Sequence, residues 1–368
     1  MNKYKLPLNL YIKRQKPFSL IHFVTNRCNA RCKHCFIDFN NKDSFKDELS
    51  IQEIEKLSKS LGDSLFNLNL TGGEPFLRKD FFNIVKVYLQ NTTIESIFIN
   101  TNGYFSDLIK NFIDQLIVLD TNKKVIFSIS IDNFESEHDK FRNTKGLFKR
   151  ALESYNLIKN YNMPNVIPNI GITVSDHNYK NVVEVYEHLK KKGIKSITAT
   201  IFREEGVIKY IDSKLKKKIL KAYSLLTEKI YKDQLNGEMK GFGDSLQGLM
   251  MNAKNMILTS IIKETYINKK FIVPCHAGSL FGIIYANGDV YPCEIFDMKL
   301  GNLRDYNMTF MDLWNSKKTK MSRKLIKKSK CNCTFECALS INILSNTRCL
   351  YNLLYKTIIL KWQKRKFV

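Results

Sequence analysis

Proline and glycine are scarce, 7 and 16 in 368 residues, too few for a linker-rich or collagenous chain. No stretch reaches the ~18 uninterrupted apolar residues of a membrane-spanning helix; the best, 351–362, is broken by Lys356 and Lys361. The start, MNKYKLPLNLYIKRQKPFSL, lacks a continuous apolar core followed by a small-residue cleavage site. No secretory signal is therefore expected, and a cytoplasmic location is the default. Acidic residues are also in deficit, 35 Asp and Glu against 59 Lys and Arg, for a formal charge of +24. What is present excludes wholesale disorder: 44% hydrophobic and 12% aromatic residues supply a sizeable core.

The basic excess is local. Segment 317–330 holds eight basic residues and no acid, and 351–368 holds five and no acid. Positive charge attracts nucleic acid, anionic lipid or acidic substrates. The aromatic interleaving of a base-stacking platform is missing from 317–330, so that run reads as a solvated helix face and no nucleic-acid partner is expected. In a reducing compartment the nine cysteines read as metal ligands or catalytic thiols rather than disulfides.

Hydrophobic patterning alternates strand and helix through the first two thirds. Strands are predicted at 18–25, 66–70, 94–100, 125–131, 166–174 and 196–202, with helices at 50–61, 79–90, 106–119, 147–160 and 180–192 between them. Ser50 with Glu53 forms a capping-box signature at the first helix. Six such units imply a parallel sheet with outer helices, an open barrel or a doubly wound sheet, whose chemistry sits at the C-terminal ends of strands. Cys28–Cys35, Gly72–Glu74 and Asn100–Asn102 all fall there. The pattern turns helical over 211–265, with a Gly-rich break at 241–243, and then gives way to short strands, an Asn287–Gly288 hairpin signal and six cysteines. The expected organisation is an N-terminal segment 1–17, a core 18–210, a helical connector 211–265, a cysteine-rich α+β domain 266–350 and a basic tail 351–368.

Cys28-Asn-Ala-Arg-Cys32-Lys-His-Cys35 places three thiols in one short loop after the first strand. Three thiolates can hold three irons of a cubane and leave the fourth iron open. Zinc is the competing metal, but a structural zinc site wants four ligands, and His34 lies between two cysteines. Thr71-Gly72-Gly73-Glu74-Pro75 follows the second strand; glycines allow close backbone approach, and Glu74 can accept from an ammonium. With both motifs the chain resembles the radical S-adenosylmethionine superfamily. The resemblance implies an α/β fold with a partial (β/α)6 TIM-like barrel, and a site-differentiated 4Fe–4S cluster on Cys28, Cys32 and Cys35 that chelates S-adenosylmethionine. It further implies Phe36 near the adenine, Gly72, Gly73, Glu74 and Pro75 at the methionine amino group, Asn100 facing the cosubstrate and Ser130 at the ribose. Arg142 would pair with the cosubstrate carboxylate or anchor the loop, and Asp132 would cap the following turn or touch ligand.

Cys275, Cys293 in a G-x4-C element, Leu300-Gly-Asn-Leu303, Trp314, and Cys331-Asn-Cys333-Thr-Phe-Glu-Cys337, with Cys349 beyond, resemble the SPASM/twitch extension. That extension holds one or two auxiliary 4Fe–4S clusters. The distal spacing is C-x-C-x3-C, which departs from the C-x2-C-x5-C-x3-C of a two-cluster SPASM domain. The resemblance therefore implies one auxiliary cluster on Cys275, Cys293 and two of Cys331, Cys333 and Cys337, Cys349 being the weakest ligand. Glu294, next to Cys293, resembles the acidic base of anaerobic sulfatase-maturing enzymes; the plainer reading is a surface Glu, or one paired with Lys299 or Arg304. The activity implied is reductive cleavage of S-adenosylmethionine and hydrogen abstraction from a peptide or protein, giving a cross-link, an oxidation or an epimerisation. The alternative is a small molecule such as a sugar, aminocyclitol or tetrapyrrole. Flavodoxin or ferredoxin would donate electrons. With 27 residues before Cys28, a peptide substrate would call for a separate leader-recognition protein.

Overall fold

The computed structural model describes residues 7–41, 45–203 and 211–364. Six strands, β1 (Ser19–Thr25), β2 (Asn67–Gly72), β3 (Ser96–Thr101), β4 (Lys124–Ser130), β5 (Val166–Val174) and β6 (Ile197–Ile201), lie side by side in chain order, every neighbouring pair parallel. Helices α1 (Ile51–Ser60), α2 (Phe81–Asn91), α3 (Ser106–Leu119), α5 (Leu147–Asn160) and α6 (Val182–Lys191) return the chain between strands. Each predicted strand and helix exists within a few residues of its expected bounds. The Ser50 cap is realised: its hydroxyl accepts from Glu53 N–H while the Glu53 carboxylate accepts from Ser50 N–H.

Strand alternation sorts the sheet's two faces. Leu68, Leu70, Ile97, Ile99, Val125 and Phe127 pack under the helices in the main core, while Asn67, Asn69, Phe98, Asn100, Ser128 and Thr200 line the concave inner face. Apart from Phe98 these inner-face residues are polar, and they face a cavity.

Two elements depart from expectation. A short helix, α4 (Glu135–Arg142), stands where only a loop was read; its exposed turns are polar, so it lacks the amphipathic period that marks a helix. The cysteine-rich region also does not fold apart from the barrel sheet. Its strand β7 (Phe281–Ile284) pairs in parallel with β1, and β8 (Asp289–Tyr291) and β9 (Gly301–Asn302) extend that edge antiparallel, giving nine strands in the order β6-β5-β4-β3-β2-β1-β7-β8-β9. The predicted Asn287–Gly288 turn joins β7 to β8, with Gly288 at φ 86°, a left-handed geometry that favours glycine.

The long helices α7 (Ser213–Leu235) and α8 (Leu246–Asn268) form the connector. Short helices α9 (Phe310–Trp314), α10 (Lys317–Lys328) and α11 (Glu336–Leu344) follow, then α12 (Thr347–Lys364). The basic run 317–328 is indeed a helix, and its face toward the protein buries Thr319, Ser322 and Ile326. The boundary expected at residue 350 falls inside α12, whose Leu353 and Leu360 are 1% exposed; this segment is docked helix, not a tail. Among the described residues no helix is long and apolar enough to cross a membrane.

Candidate functional site

The cysteine loop leaves the C-terminal end of β1 and is clamped from two sides. On one side Gly73 N–H donates to Thr25 O and Glu74 N–H to Arg27 O, both at 2.8 Å. A Cβ on Gly72 would overlap the Thr25 carbonyl oxygen, and one on Gly73 the Arg27 carbonyl oxygen. Gly72 also sits at φ 144°. The close approach that the two glycines permit is therefore to the backbone of the cysteine loop. On the other side Arg31 N–H donates to Arg142 O at 3.1 Å and Lys33 N–H to Phe141 O at 3.2 Å, tying the loop to the end of α4.

Glu74 corrects its expected role. Its side chain is fully buried (0% exposed). One carboxylate oxygen accepts from the Thr101 hydroxyl at 2.8 Å and Phe76 N–H at 3.2 Å, and the other accepts from Asn102 N–H at 2.7 Å. Burial, only partly offset by these donors, pushes its pKa up to about 7. The carboxylate is turned inward and positions Asn102. Pro75 opens a buried single turn behind it.

Asn102, rather than Asn100, reaches the loop: its amide donates to Asn29 Oδ1 at 2.8 Å and lies 4.0 Å from Cys28 Sγ. Asn100 faces the inner cavity, and Ser130 ends β4 two residues after the cavity-lining Ser128, on the same face. Phe36 is 45% exposed and stands edge-on to Phe23 with 5.6 Å between ring centroids.

Arg142 is an anchor. Its guanidinium donates twice to Asp132 Oδ2, at 2.6 and 3.0 Å, and Nη1 lies 3.9 Å from Cys32 Sγ. Asp132 Oδ1 accepts from Thr173 N–H at 2.9 Å, so Asp132 neither caps the following turn nor points at a ligand. Burial pushes the Asp132 carboxyl up, and Arg142, with His34 and His138, more than reverses this to hold it near about 2. His34 stacks on Phe141 at 4.8 Å, and burial lowers its pKa to about 4.

The donor set fits a cluster. Three thiols on one clamped loop lie close enough to influence one another's ionisation, and burial pushes each of them up, Cys28 to about 11. Asn102 and Arg142 offer N–H groups toward two of the sulfurs, as anionic thiolates need. Among the described residues no three His, Cys, Asp or Glu side chains close around a single ion. A cubane does not ask for that, since each protein sulfur takes a different iron.

Five of the six C-terminal cysteines gather in one cluster, with Cys349 apart. Cys275, Cys331 and Cys333 line one small cleft and are within hydrogen-bonding reach in that order, with Cys293 coupled to Cys275 and Cys331. These four offer the four sulfurs of one auxiliary cubane. Cys337 faces the large inner cavity beside Lys254 and Glu336, and Cys349 packs against the main core. Glu294 also differs from expectation. Its carboxylate is paired with Arg203 at 2.9 Å, and its side chain is 17% exposed. Lys299 and Arg304, the partners expected for it, bind Asp289 and Glu53 instead. Glu294 is thus an ion-pair partner of Arg203 rather than of Lys299 or Arg304. Arg203 stacks over the Phe335 ring at 4.4 Å. Nothing in the sequence around Arg203 or Lys254 marked either residue.

Residues 23–176 match the family model "Radical SAM superfamily" and residues 275–338 the model "Iron-sulfur cluster-binding domain" known as SPASM. The chain belongs to the radical SAM superfamily. Its radical SAM core carries the cysteine loop and the Gly-Gly-Glu-Pro element, and its SPASM domain carries the auxiliary cysteines. The sporulation killing factor maturation protein SkfB of Bacillus subtilis (strain 168) is 29% identical over 79% of this chain, which spans 64% of that relative's length. Among solved structures, anSMEcpe with bound AdoMet and Cp18Cys peptide superposes with a TM-score of 0.60 at 21% identity, covering 95% of this chain and 99% of that one. Streptococcus suis SuiB bound to precursor peptide SuiA does so at 0.56 and 14%, covering 90% and 74%. These two likenesses place the radical SAM fold.

The core also carries an acid sensitivity. His22 in β1 is fully buried, its Nδ1 2.8 Å from the Tyr88 hydroxyl. Burial, with the Arg78 charge, lowers its pKa to about 3. Unfolded, it would protonate near 6.5. The unfolded chain thus takes up the extra proton, so stability is full above ~6.5 and falls as pH drops toward about 3, by ~2 kcal/mol at pH 5. In urea unfolding, His22→Gln is expected to lose ~2 kcal/mol less than the natural chain between pH 7 and pH 5. An unchanged difference would mean that His22 titrates normally in the fold.

Proposed function

We propose that the chain reductively cleaves S-adenosylmethionine and modifies a ribosomally made peptide or protein by hydrogen-atom abstraction. The observation that carries the reading is an open cavity of about 570 Å³ lined by the sheet's inner face, α7, α8 and α11. Its wall rises from the N-terminal strand ends at Phe18, Asn67 and Ser96 to Asn100 and Ser128 and takes in Cys337; no residue of the cysteine loop is among those that line it. One flank is amide and hydroxyl, the other Met250, Met251, Leu258 and Leu344. Such a wall suits a peptide segment, which presents backbone amides and apolar side chains together. The relative SkfB, named for maturation of a killing factor, supports the same substrate class.

Cys28, Cys32 and Cys35 would hold the cluster, and Cys275, Cys293, Cys331 and Cys333 the auxiliary one. When bound, the reduced loop cluster and S-adenosylmethionine supply a 5′-deoxyadenosyl radical able to take a hydrogen atom from an unactivated C–H. The protein fixes the loop through Gly73, Glu74 and Arg142, aligns Asn102 against it, and keeps water from the cavity with the apolar flank. Electrons would come from a flavodoxin or ferredoxin, and a separate protein would present the peptide leader.

The test is anaerobic incubation of reduced protein with S-adenosylmethionine, and co-expression with short peptides encoded beside it. Formation of 5′-deoxyadenosine together with a peptide lighter by two hydrogens, or epimerised, is the expected result. Cleavage with every such peptide unchanged would turn the reading to a small molecule. No cleavage at all would end it.

A further inference from the structure

A helix lying on a protein normally turns polar residues to water. Helix α12 does the reverse. Leu353, Thr357 and Leu360 dock it and are 1%, 5% and 1% exposed. The residues opposite are Tyr351, Tyr355, Ile358 and Trp362, at 74%, 56%, 65% and 58% exposure, flanked by Leu354 at 50%. They recur at i, i+4, i+7 and i+11, which on a 3.6-residue period is one continuous outward stripe. The docked residues belong to the opposite face, and this one is turned outward.

A second apolar element adjoins it. The turn Leu8–Lys13 is held beside the start of α12 because the Arg14 guanidinium donates to Ser345 O at 3.0 Å. Its Ile12 is 73% and Leu8 37% exposed.

Charge identifies the occupant. Residues 347–368 contain six basic side chains and no acid, and exposed Lys361 of this set flanks Ile358 on the helix, its stem able to run along the apolar stripe while its ammonium group reaches outward. Aromatic rings on the outer face, basic flanks and a length short of a membrane span are the marks of a helix that lies in the headgroup region of a bilayer. We propose that the outer face of α12, with the Leu8–Lys13 turn, binds the surface of an anionic lipid bilayer and holds the enzyme there peripherally. A protein partner would meet a segment with no carboxylate to pair with its cations, whereas anionic headgroups match its basic composition.

The two tryptophans make the test direct, since Trp314 is fully buried (0%) and Trp362 exposed (58%). The cluster-loaded full chain is mixed with vesicles of phosphatidylglycerol and phosphatidylcholine, and with phosphatidylcholine alone, then sedimented. The anionic vesicles should carry the protein down, release it at high salt, and shift tryptophan emission to the blue; Trp362→Phe should abolish the shift. Replacing Tyr355 and Ile358 by Ser should lower the bound fraction at least tenfold with iron content unchanged. The proposal fails if anionic vesicles leave the protein in solution, if neutral vesicles bind it equally, or if the Ser variant binds undiminished. It also fails if the free protein is a dimer that the Ser variant splits, which would give the face to a second copy.

Discussion

Changing Cys28, Cys32 and Cys35 together to Ala is expected to leave about four of the about eight irons that the natural chain holds after anaerobic reconstitution, and to abolish 5′-deoxyadenosine formation. The expectation rests on the separation of the two sulfur groups. The three loop thiols are partly exposed and stand outside both hydrophobic clusters. Their removal therefore takes away ligands and very little packing. Cys275, Cys293, Cys331 and Cys333 form a group apart from the loop thiols and keep their iron. Iron and sulfide analysis of both proteins decides it. About four irons in the natural chain would remove the auxiliary cluster, and about twelve would mean that Cys337 and Cys349 are recruited to a second one.

What was legible in the sequence is what local pattern encodes. Six strands were readable because their alternating or wholly apolar runs face helices on one side, and Ser50 with Glu53 announced a helix start that the structure realises. The cysteine loop was readable because its ligands lie within eight consecutive residues. The misreadings share one physical cause, which is that long-range pairing leaves no periodic trace. Glu294 finds Arg203, 91 positions away, while the nearer Lys299 and Arg304 are taken by other acids. Glu74 was read as facing a ligand, yet the donors from the adjoining end of β3 draw it inward. The pairing of β7 with β1 joins segments some 260 residues apart, and a four-residue strand carries no mark of its partner. The apolar run at 351–362 was visible, but its dispersal to both faces of one helix needed the packing to be seen.

The largest expected loss of stability comes from the Asp132–Arg142 pair, and it reaches the site through the loop. The two side chains are 4% and 8% exposed and 2.6 Å apart. Removing one partner of such a pair strands the other as a buried charge, so Arg142→Met is expected to cost ~3–5 kcal/mol in urea unfolding at neutral pH. Asp132→Asn combined with Arg142→Met removes both charges, and the Asn oxygen still accepts from Thr173 N–H. The double variant should therefore be more stable than Arg142→Met alone, the gap measuring the stranded charge. The pH dependence follows the same pair. Asp132 is held at about 2 against an ordinary 3.8, a depressed value, so its contribution is present above 3.8 and is lost as pH falls toward 2. Because Arg142 O and Phe141 O hold Arg31 and Lys33, displacing the end of α4 also displaces Cys32. Arg142→Met should then lose the loop cluster preferentially, keep the auxiliary iron, and be rescued in part by Arg142→Lys, which restores charge but not the two-pronged contact. A cost below ~1 kcal/mol for Arg142→Met would place the pair among solvated surface bridges and remove the anchor role.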